Sequence, residues 1–294
     1  MRILVTGREG QVARSIAERA PADAEIIFAG RPALDLADPA SIERAVAENA
    51  PDLIISAAAY TAVDKAEDEA DLAMIVNGEA PGVLACAAAK IGARIIHLST
   101  DYVFSGSSPN AYVEKDPVGP IGAYGKTKLA GEEAVRASGA SCAILRTAWV
   151  YSPFGNNFVR TMLRLAADRD EVRVVADQFG CPTSALDIAD AVFAAAANWQ
   201  EGVFHLAGTG ETNWADFARA IFAESGAQGG PTAIVTDIVT SAYPTRATRP
   251  SNSRLDSSLF TRTFGYRMPE WQASLPTVVD RLLANDASPR QLVD

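Results

Sequence analysis

The chain has 294 residues, 48% of them apolar and 21% charged, which is typical of a globular protein with one large domain or two modest ones. Its formal charge of −10 argues against nucleic acid or an anionic membrane surface as the main partner. The 3 cysteines lack CxxC spacing and the 2 histidines lie far apart, so we expect no metal site. No signal peptide is evident and no apolar run approaches the length of a membrane span, so we expect a cytoplasmic protein.

The first half of the chain alternates between short β-rich runs and helical runs. Strands are predicted at 2–5, 25–29, 52–56, 93–99 and 142–147, and helices near 10–19, 40–49, 71–91 and 124–138. Nearly continuous apolar strands separated by helices indicate a parallel sheet that is covered on both faces. We therefore predict an α/β fold with a Rossmann-type doubly wound sheet over residues 1–150, whose ligands bind outside the carboxyl ends of the strands.

The second half, residues 151–294, is less regular and predicts a smaller C-terminal domain. Helices are predicted near 157–168 and 185–199, a strand near 173–176, and an ordered loop over 240–254. The run 202–208 predicts a later strand that can return to the main sheet. The last residues, 287–294, are expected to fray.

A glycine turn follows the first predicted strand. Gly7 and Gly10 stand three residues apart in the run TGREGQV. Glycines at these positions permit a tight turn and let backbone N–H groups approach a pyrophosphate at the start of a helix. A turn without a ligand is the alternative, but the position between a strand and a helix favours a dinucleotide site.

Small and polar residues follow the next three strands. Arg31 follows the second strand and no carboxylate appears before Asp35, so NADPH is favoured, because an arginine can bind its 2′-phosphate. Arg31 could equally be a solvated loop residue. After the third strand, Ala57–Ala59 can let a flat cofactor lie close to the backbone or can reflect tight packing. After the fourth, Thr100 and Asp101 offer a hydroxyl and a carboxylate to a substrate, or form a simple cap.

Tyr124 and Lys128 open the helix after the fourth strand and share one of its faces. A free tyrosine has a pKa near ~10, and at an effective dielectric of about 20 a positive charge ~4 Å away favours the phenolate by up to ~4 kcal/mol. Desolvation opposes this effect. We interpret the pair as a proton-transfer device in which Lys128 lowers the pKa of Tyr124 and binds ribose hydroxyls; an ordinary surface pair is the alternative.

These features resemble the extended short-chain dehydrogenase/reductase family. Seven motifs narrow the resemblance to the members that reduce dTDP-4-dehydrorhamnose to dTDP-L-rhamnose with NAD(P)H: AAAYTAVDKAE (57–67), STDYVFSG (99–106), YGKTKLAGE (124–132), RTAWVY (146–151), GNNF (155–158), DQFGCPT (177–183) and RPSNSRL (249–255). The resemblance runs from residue 1 to about residue 272.

The resemblance implies a reductase for the C4 ketone of dTDP-4-dehydro-6-deoxy-L-mannose that uses NADPH and can also accept NADH. It implies cofactor contacts from Gly10, Gln11, Val12, Asp35, Leu36, Ala57, Ala58, Ala59 and Leu98. It implies a catalytic set of Thr100, Tyr124 and Lys128. It implies substrate contacts from Thr100, Asp101, Trp149 and Arg249, with residues 151–294 mainly binding the substrate.

The chain also departs from this family. Some members are described as magnesium-bridged dimers that use glutamates, whereas the matching positions here hold Arg14 and Leu186, so we expect no metal and either a monomer or a homodimer.

Two other functions stay open. One is another sugar-nucleotide epimerase or dehydratase, although the neighbour of Asp101 is a tyrosine and not the glutamate of a dehydratase. The other is a non-catalytic regulatory subunit of the methionine adenosyltransferase type.

Overall fold

The structure is a computed structural model that describes residues 1–287, without the side chains of 285–287. The strands are β1 Arg2–Thr6, β2 Glu25–Ala29, β3 Leu53–Ser56, β4 Arg94–Thr100, β5 Cys142–Thr147, β6 Val150–Tyr151, β7 Glu171–Val175, β8 Phe179–Gly180, β9 Thr183–Ser184, β10 Gly202–His205, β11 Thr212–Asn213 and β12 Ile234–Ile238. The helices are α1 Gln11–Arg19, α2 Pro39–Asn49, α3 Ala70–Met74, α4 Ala80–Ile91, α5 Ala123–Ala137, α6 Phe158–Asp168, α7 Ala185–Ala197, α8 Trp214–Ala227, α9 Ser258–Phe264 and α10 Trp271–Ala287. Fraying is expected over 287–294; residues 288–294 lie outside the described residues.

A parallel sheet with the strand order β2-β1-β3-β4-β5-β10 forms the centre of the described residues. The predicted doubly wound sheet is confirmed. The chain passes from β1 to β2 on one side and to β3 on the other, so a topological switch point lies between β1 and β3. In open parallel sheets ligands bind at such a point, outside the carboxyl ends of the strands.

Apolar side chains cover both faces of this sheet, which explains why its strands are apolar without alternation. Ile3 and Val5 of β1 pack on the face that α1 and α7 cover. Leu4, between them, packs on the opposite face with Leu84 of α4 and Ile42 of α2. Successive residues of a strand point to opposite faces, so each of these residues is buried in one of two layers.

The stretch Ala70–Ile91 runs from α3 through a π-helical turn at Ile75–Glu79 into α4. This stretch has 22 residues and contains an apolar window of mean hydropathy 1.5, which is long and apolar enough to cross a membrane, so the expectation that no run approaches that length was wrong. However, 56% of the apolar window is buried inside the protein. Leu84, Ala85 and Ala88 belong to the core beneath the sheet, and the run is explained as a core helix.

A third apolar cluster lies in the C-terminal half. It is built by α6, β7, α8 and α10 around side chains such as Met162, Val172, Phe217 and Val278. β7 and β12 form a small parallel pair beside it. Two parts of this half rejoin the main sheet: β10 pairs with β5, and α7 packs on α1.

Candidate active site

The ends of β1 and β3 are tied together where the glycine turn begins. Gly7 has a φ of +87°, and its N–H donates to Ala29 O at 2.7 Å. Thr6 Oγ1 accepts hydrogen bonds from the N–H groups of Ala57 and Ala58, both at 3.0 Å. α1 begins at Gln11 and Val12 without a side-chain cap at Gly10, which leaves its first N–H groups available to an anion.

The loop after β2 carries the residues expected at the adenosine end of a cofactor. Arg31 is exposed there. A Cβ on Gly30 would lie 3.4 Å from Cγ of Arg8, so Arg8 from the glycine turn reaches the same place. The Asp35 carboxylate accepts a hydrogen bond from the backbone two residues on at 3.0 Å, while Leu36 packs against the core. The side chains of two arginines, Arg8 and Arg31, therefore lie at the end of β2.

Close packing fixes the start of α5. A Cβ on Gly125 would lie 2.2 Å from Tyr102 O, so glycine is required where α5 passes the residues after β4. The N–H of Ala123 donates to Glu67 Oε1 at 2.9 Å. As a result the ring of Tyr124 meets that of Tyr102 edge-on, with 5.5 Å between ring centroids.

Lys128 lies one helical turn further and is 3% exposed. Its Nζ donates to Leu98 O of β4 at 2.6 Å. Burial lowers the pKa of Lys128 to about 8, and the charge of Glu132 opposes that shift. Glu132 itself is held by Arg146 through two hydrogen bonds of 2.8 and 2.7 Å and by the Ser99 hydroxyl at 2.6 Å.

The pKa of Tyr124 is raised, chiefly by burial and then by the negative charge of Asp101. The nearby Thr100 hydroxyl lowers the pKa of Tyr124 and does not overcome burial. We expected Lys128 to lower it, but the Lys128 ammonium is turned toward the backbone of β4 and burial dominates. A phenol with a raised pKa stays protonated at neutral pH, so Tyr124 is suited to donate a proton.

Asp101 is 3% exposed and lies beside this phenol. Burial raises its pKa to about 6, and hydrogen bonding with Ser253 and Thr100 opposes that shift. Thr100 Oγ1 donates to Asp101 Oδ1 at 2.9 Å. The other oxygen, Oδ2, is buried and makes no hydrogen bond of good geometry within residues 1–287. Because a buried acceptor is normally paired, Oδ2 is a candidate contact for a substrate hydroxyl.

The C-terminal half reaches the same edge of the sheet. Arg249 Nη2 donates to Asp64 Oδ2 at 2.6 Å and also interacts with the Tyr102 hydroxyl. Trp149, just after β5, has a positive φ of 47°, and its indole stacks on Trp214 with 3.5 Å between ring centroids. Arg249 thereby lies near Tyr124, while Trp149 belongs to an aromatic stack shared with α8.

The positions that the resemblance connects with magnesium have other partners here. The guanidinium of Arg14 lies 4.4 Å from the centroid of the Phe154 ring, and Leu186 is 3% exposed in the core. Within residues 1–287, no group of three or more His, Cys, Asp or Glu residues could hold a metal ion.

Sequence reasoning missed three side chains of this site: Arg8, Tyr102 and Ser253. Each lies inside a motif that was already noted. Arg8 belongs to the glycine turn, Tyr102 follows Asp101 directly, and Ser253 belongs to RPSNSRL. The motif strings could have identified them, whereas their contacts depend on the fold.

The fold and this Tyr-x-x-x-Lys site together define the class of short-chain dehydrogenases/reductases. The family model described as "RmlD substrate binding domain" matches residues 1–284. A dTDP-4-dehydrorhamnose reductase from Sinorhizobium fredii is 48% identical over 290 residues, which are 96% of this chain and 98% of that protein. The chain belongs to the dTDP-4-dehydrorhamnose reductase family.

Solved structures agree with this assignment. The crystal structure of a dTDP-4-dehydrorhamnose reductase from Clostridium acetobutylicum matches with a TM-score of 0.92 and 40% identity, covering 96% of this chain and 100% of that one. The enzyme of the same name from Bacillus anthracis, solved in complex with NADP, matches with a TM-score of 0.89 and 34% identity, covering 97% and 99%.

Proposed function

We propose that this protein reduces the C4 ketone of dTDP-4-dehydro-6-deoxy-L-mannose to give dTDP-L-rhamnose, with hydride from NADPH. The names of its relatives and the NADP in the Bacillus anthracis structure support this reaction. The observation that carries the proposal is the buried cluster at the end of β4. There a protonated Tyr124 meets Thr100 and Asp101, one helical turn from Lys128.

The residues of the cluster supply the proton side of this reaction. When bound, the nicotinamide cofactor supplies the hydride that forms the new C–H bond at C4. Tyr124 donates its phenolic proton to the ketone oxygen as negative charge develops there, which completes the alcohol. Thr100 and Asp101 orient that oxygen and its neighbours through hydrogen bonds. Lys128 binds ribose hydroxyls of the cofactor and assists return of a proton to Tyr124.

The chain's own residues fit a dinucleotide. The uncapped N-terminus of α1 suits a pyrophosphate, and Ala57 and Ala58, held by Thr6 Oγ1, follow β3 at the switch point where a flat cofactor can lie close to the backbone. We assign the 2′-phosphate of NADPH to Arg31 together with Arg8, because both reach the end of β2. A guanidinium can bind phosphate through two parallel hydrogen bonds.

The nucleotide-sugar side is assigned to the C-terminal half, residues 151–294, with Trp149 before it. Arg249 is proposed for the diphosphate and Asp101 Oδ2 for a sugar hydroxyl, since Asp101 lies beside Tyr124 and Arg249 contacts Tyr102, whose ring meets that of Tyr124. The protein is proposed to work in the cytoplasm as a monomer or a homodimer, without a metal.

The reaction is tested by incubating the purified protein with NADPH and dTDP-4-dehydrorhamnose, followed by analysis of the products. We expect one NADPH oxidised for each dTDP-L-rhamnose formed. An epimerase or dehydratase would change the sugar without net oxidation of NADPH. A regulatory subunit would show no turnover on its own, so either result would reject the proposal.

A further inference from the structure

His97 lies in β4 directly before Leu98 and is fully buried. Its ring stands between two polar side chains. His97 Nδ1 is 3.1 Å from Ser56 Oγ on β3, and His97 Nε2 is 3.4 Å from Lys128 Nζ. The reaction proposed above gives His97 no part, yet its ring contacts the lysine on which that reaction depends.

The chemistry of the two groups fixes the direction of this contact. A lysine ammonium has three N–H donors and no acceptor, so His97 Nε2 has to accept from Lys128. Burial and the charge of Lys128 hold the pKa of His97 well below its usual range, so the ring is neutral and its one proton lies on Nδ1. That proton is donated to Ser56 Oγ.

No carboxylate takes over this role within the described residues around Lys128. Glu132, on the same helix, raises the pKa of Lys128, but its oxygens are bound by Arg146 from β5 and by Ser99 from β4. Tyr124, on the same face of α5, is neutral because its pKa is raised. Two of the three N–H groups of the ammonium therefore go to Leu98 O and to the His97 ring, which leaves one.

We propose that His97 is a positioning residue that holds the Lys128 ammonium, as a neutral acceptor at Nε2, with one N–H directed into the cofactor site. This inference rests on the proposed reductase function for its kinetic consequences. It assigns no proton transfer to His97. The ring acts through Lys128, by stabilising the charged form of its side chain and restricting where its third N–H points.

The kinetic test compares His97→Gln with His97→Leu. The glutamine amide oxygen can take the place of Nε2, whereas leucine fills a similar volume without an acceptor. The ammonium is lost as pH rises through the Lys128 pKa of about 8. Removing an acceptor lowers that pKa further, so in His97→Leu we expect the alkaline limb of kcat/KM to move down by about one pH unit.

KM for NADPH should rise roughly tenfold in His97→Leu, as for the loss of a hydrogen bond to a charged group. His97→Gln should keep the native pH profile and KM within about twofold, a difference well under 1 kcal/mol. Equal pH profiles in the two folded variants would overturn the proposal, because a purely structural role does not distinguish an acceptor from a methyl group.

A second measurement needs no turnover and observes the native His97 ring directly. The sequence holds 2 histidines, so a ¹⁵N-histidine-labelled sample gives two imidazoles, and the one missing from His97→Gln is His97. We expect its proton on Nδ1 and a bare Nε2 from mildly acidic to mildly alkaline pH. A proton on Nε2 would overturn the proposal while leaving the reductase function intact, whereas absent turnover would reject that function alone.

Discussion

One ion pair beside the sheet and one in the C-terminal half lie in very different surroundings. Beside the sheet, Arg146 and Glu132 form an ion pair whose side chains are 4% and 0% exposed. In the C-terminal half, Arg219 and Asp237 form a pair whose side chains are 43% and 54% exposed. Water screens the attraction between the charges of the second pair and not that of the first. The two ion pairs therefore contribute differently to stability. Burial therefore sets what each of these two ion pairs contributes to stability.

The largest effect is expected from removing the buried proton donor. Tyr124→Phe keeps the ring and deletes the hydroxyl, so kcat should fall about 10²–10⁴-fold, the usual contribution of a positioned proton donor. NADPH affinity, measured by fluorescence titration, should stay nearly native and serves as the control. A kcat close to that of the native protein would show that Tyr124 is not the donor.

The two ion pairs can be compared directly through matched substitutions. Arg146→Met leaves Glu132 buried without its partner, so the free energy of unfolding should fall by about 3–5 kcal/mol. Arg219→Met removes an exposed partner and should cost less than ~1 kcal/mol. Urea unfolding at neutral pH measures both variants. Similar losses of unfolding free energy in the two variants would mean that burial does not decide how much each ion pair contributes.

The preference for NADPH over NADH depends on partly solvated arginines. Replacing them should therefore have a smaller effect than the substitutions above. Arg8→Ala and Arg31→Ala should each lower the ratio of kcat/KM for NADPH to that for NADH, by up to about ten- to a hundredfold. Exposed Arg164 on α6, changed to alanine, is the control for loss of a positive charge. An unchanged ratio in both variants, or equal use of the two cofactors by the native protein, would show that these arginines do not select NADPH.

The smallest effect is expected from chelation. Arg14 and Leu186 occupy the positions that the resemblance connects with magnesium, and neither side chain offers an oxygen ligand. EDTA should therefore leave both kcat and the sedimentation profile unchanged. Dissociation by EDTA that is reversed by Mg²⁺ would disprove this expectation.

The sheet could be predicted because its signal is local: each strand of the first half is a short apolar run between helical runs. Tyr124 and Lys128 could be found for the same reason, since one helical turn separates them. The sign of the Tyr124 pKa shift could not be predicted, because residue spacing gives the distance from the phenol to a charge and does not give the burial of the phenol. Partners from distant segments, such as Ser253 beside Asp101, depend on the completed fold.

The sequence prediction is less complete for the helices of the C-terminal half. The sequence pattern predicts no helix at α8 or α10, although Asn213 caps α8 by accepting from Asp216 N at 2.8 Å, which is a readable start signal. Pro276 interrupts the pattern of α10. Both helices pack around the third apolar cluster. In α8, Trp214, Phe217, Ala218, Ile221 and Phe222 recur every three or four residues, which is a readable helical pattern as well. The assignment of residues 151–294 to substrate binding stays a proposal.

The central claim is that hydride from NADPH enters at C4 of the sugar while Tyr124, in the cluster at β4 and α5, protonates the oxygen. NADPH labelled with deuterium at the transferring C4 position tests it most directly, with dTDP-4-dehydrorhamnose as substrate and NMR of the product. We predict dTDP-L-rhamnose that carries deuterium at C4 of the sugar, one for each NADPH oxidised. A converted sugar without deuterium at C4, or with no net oxidation of NADPH, would contradict the claim.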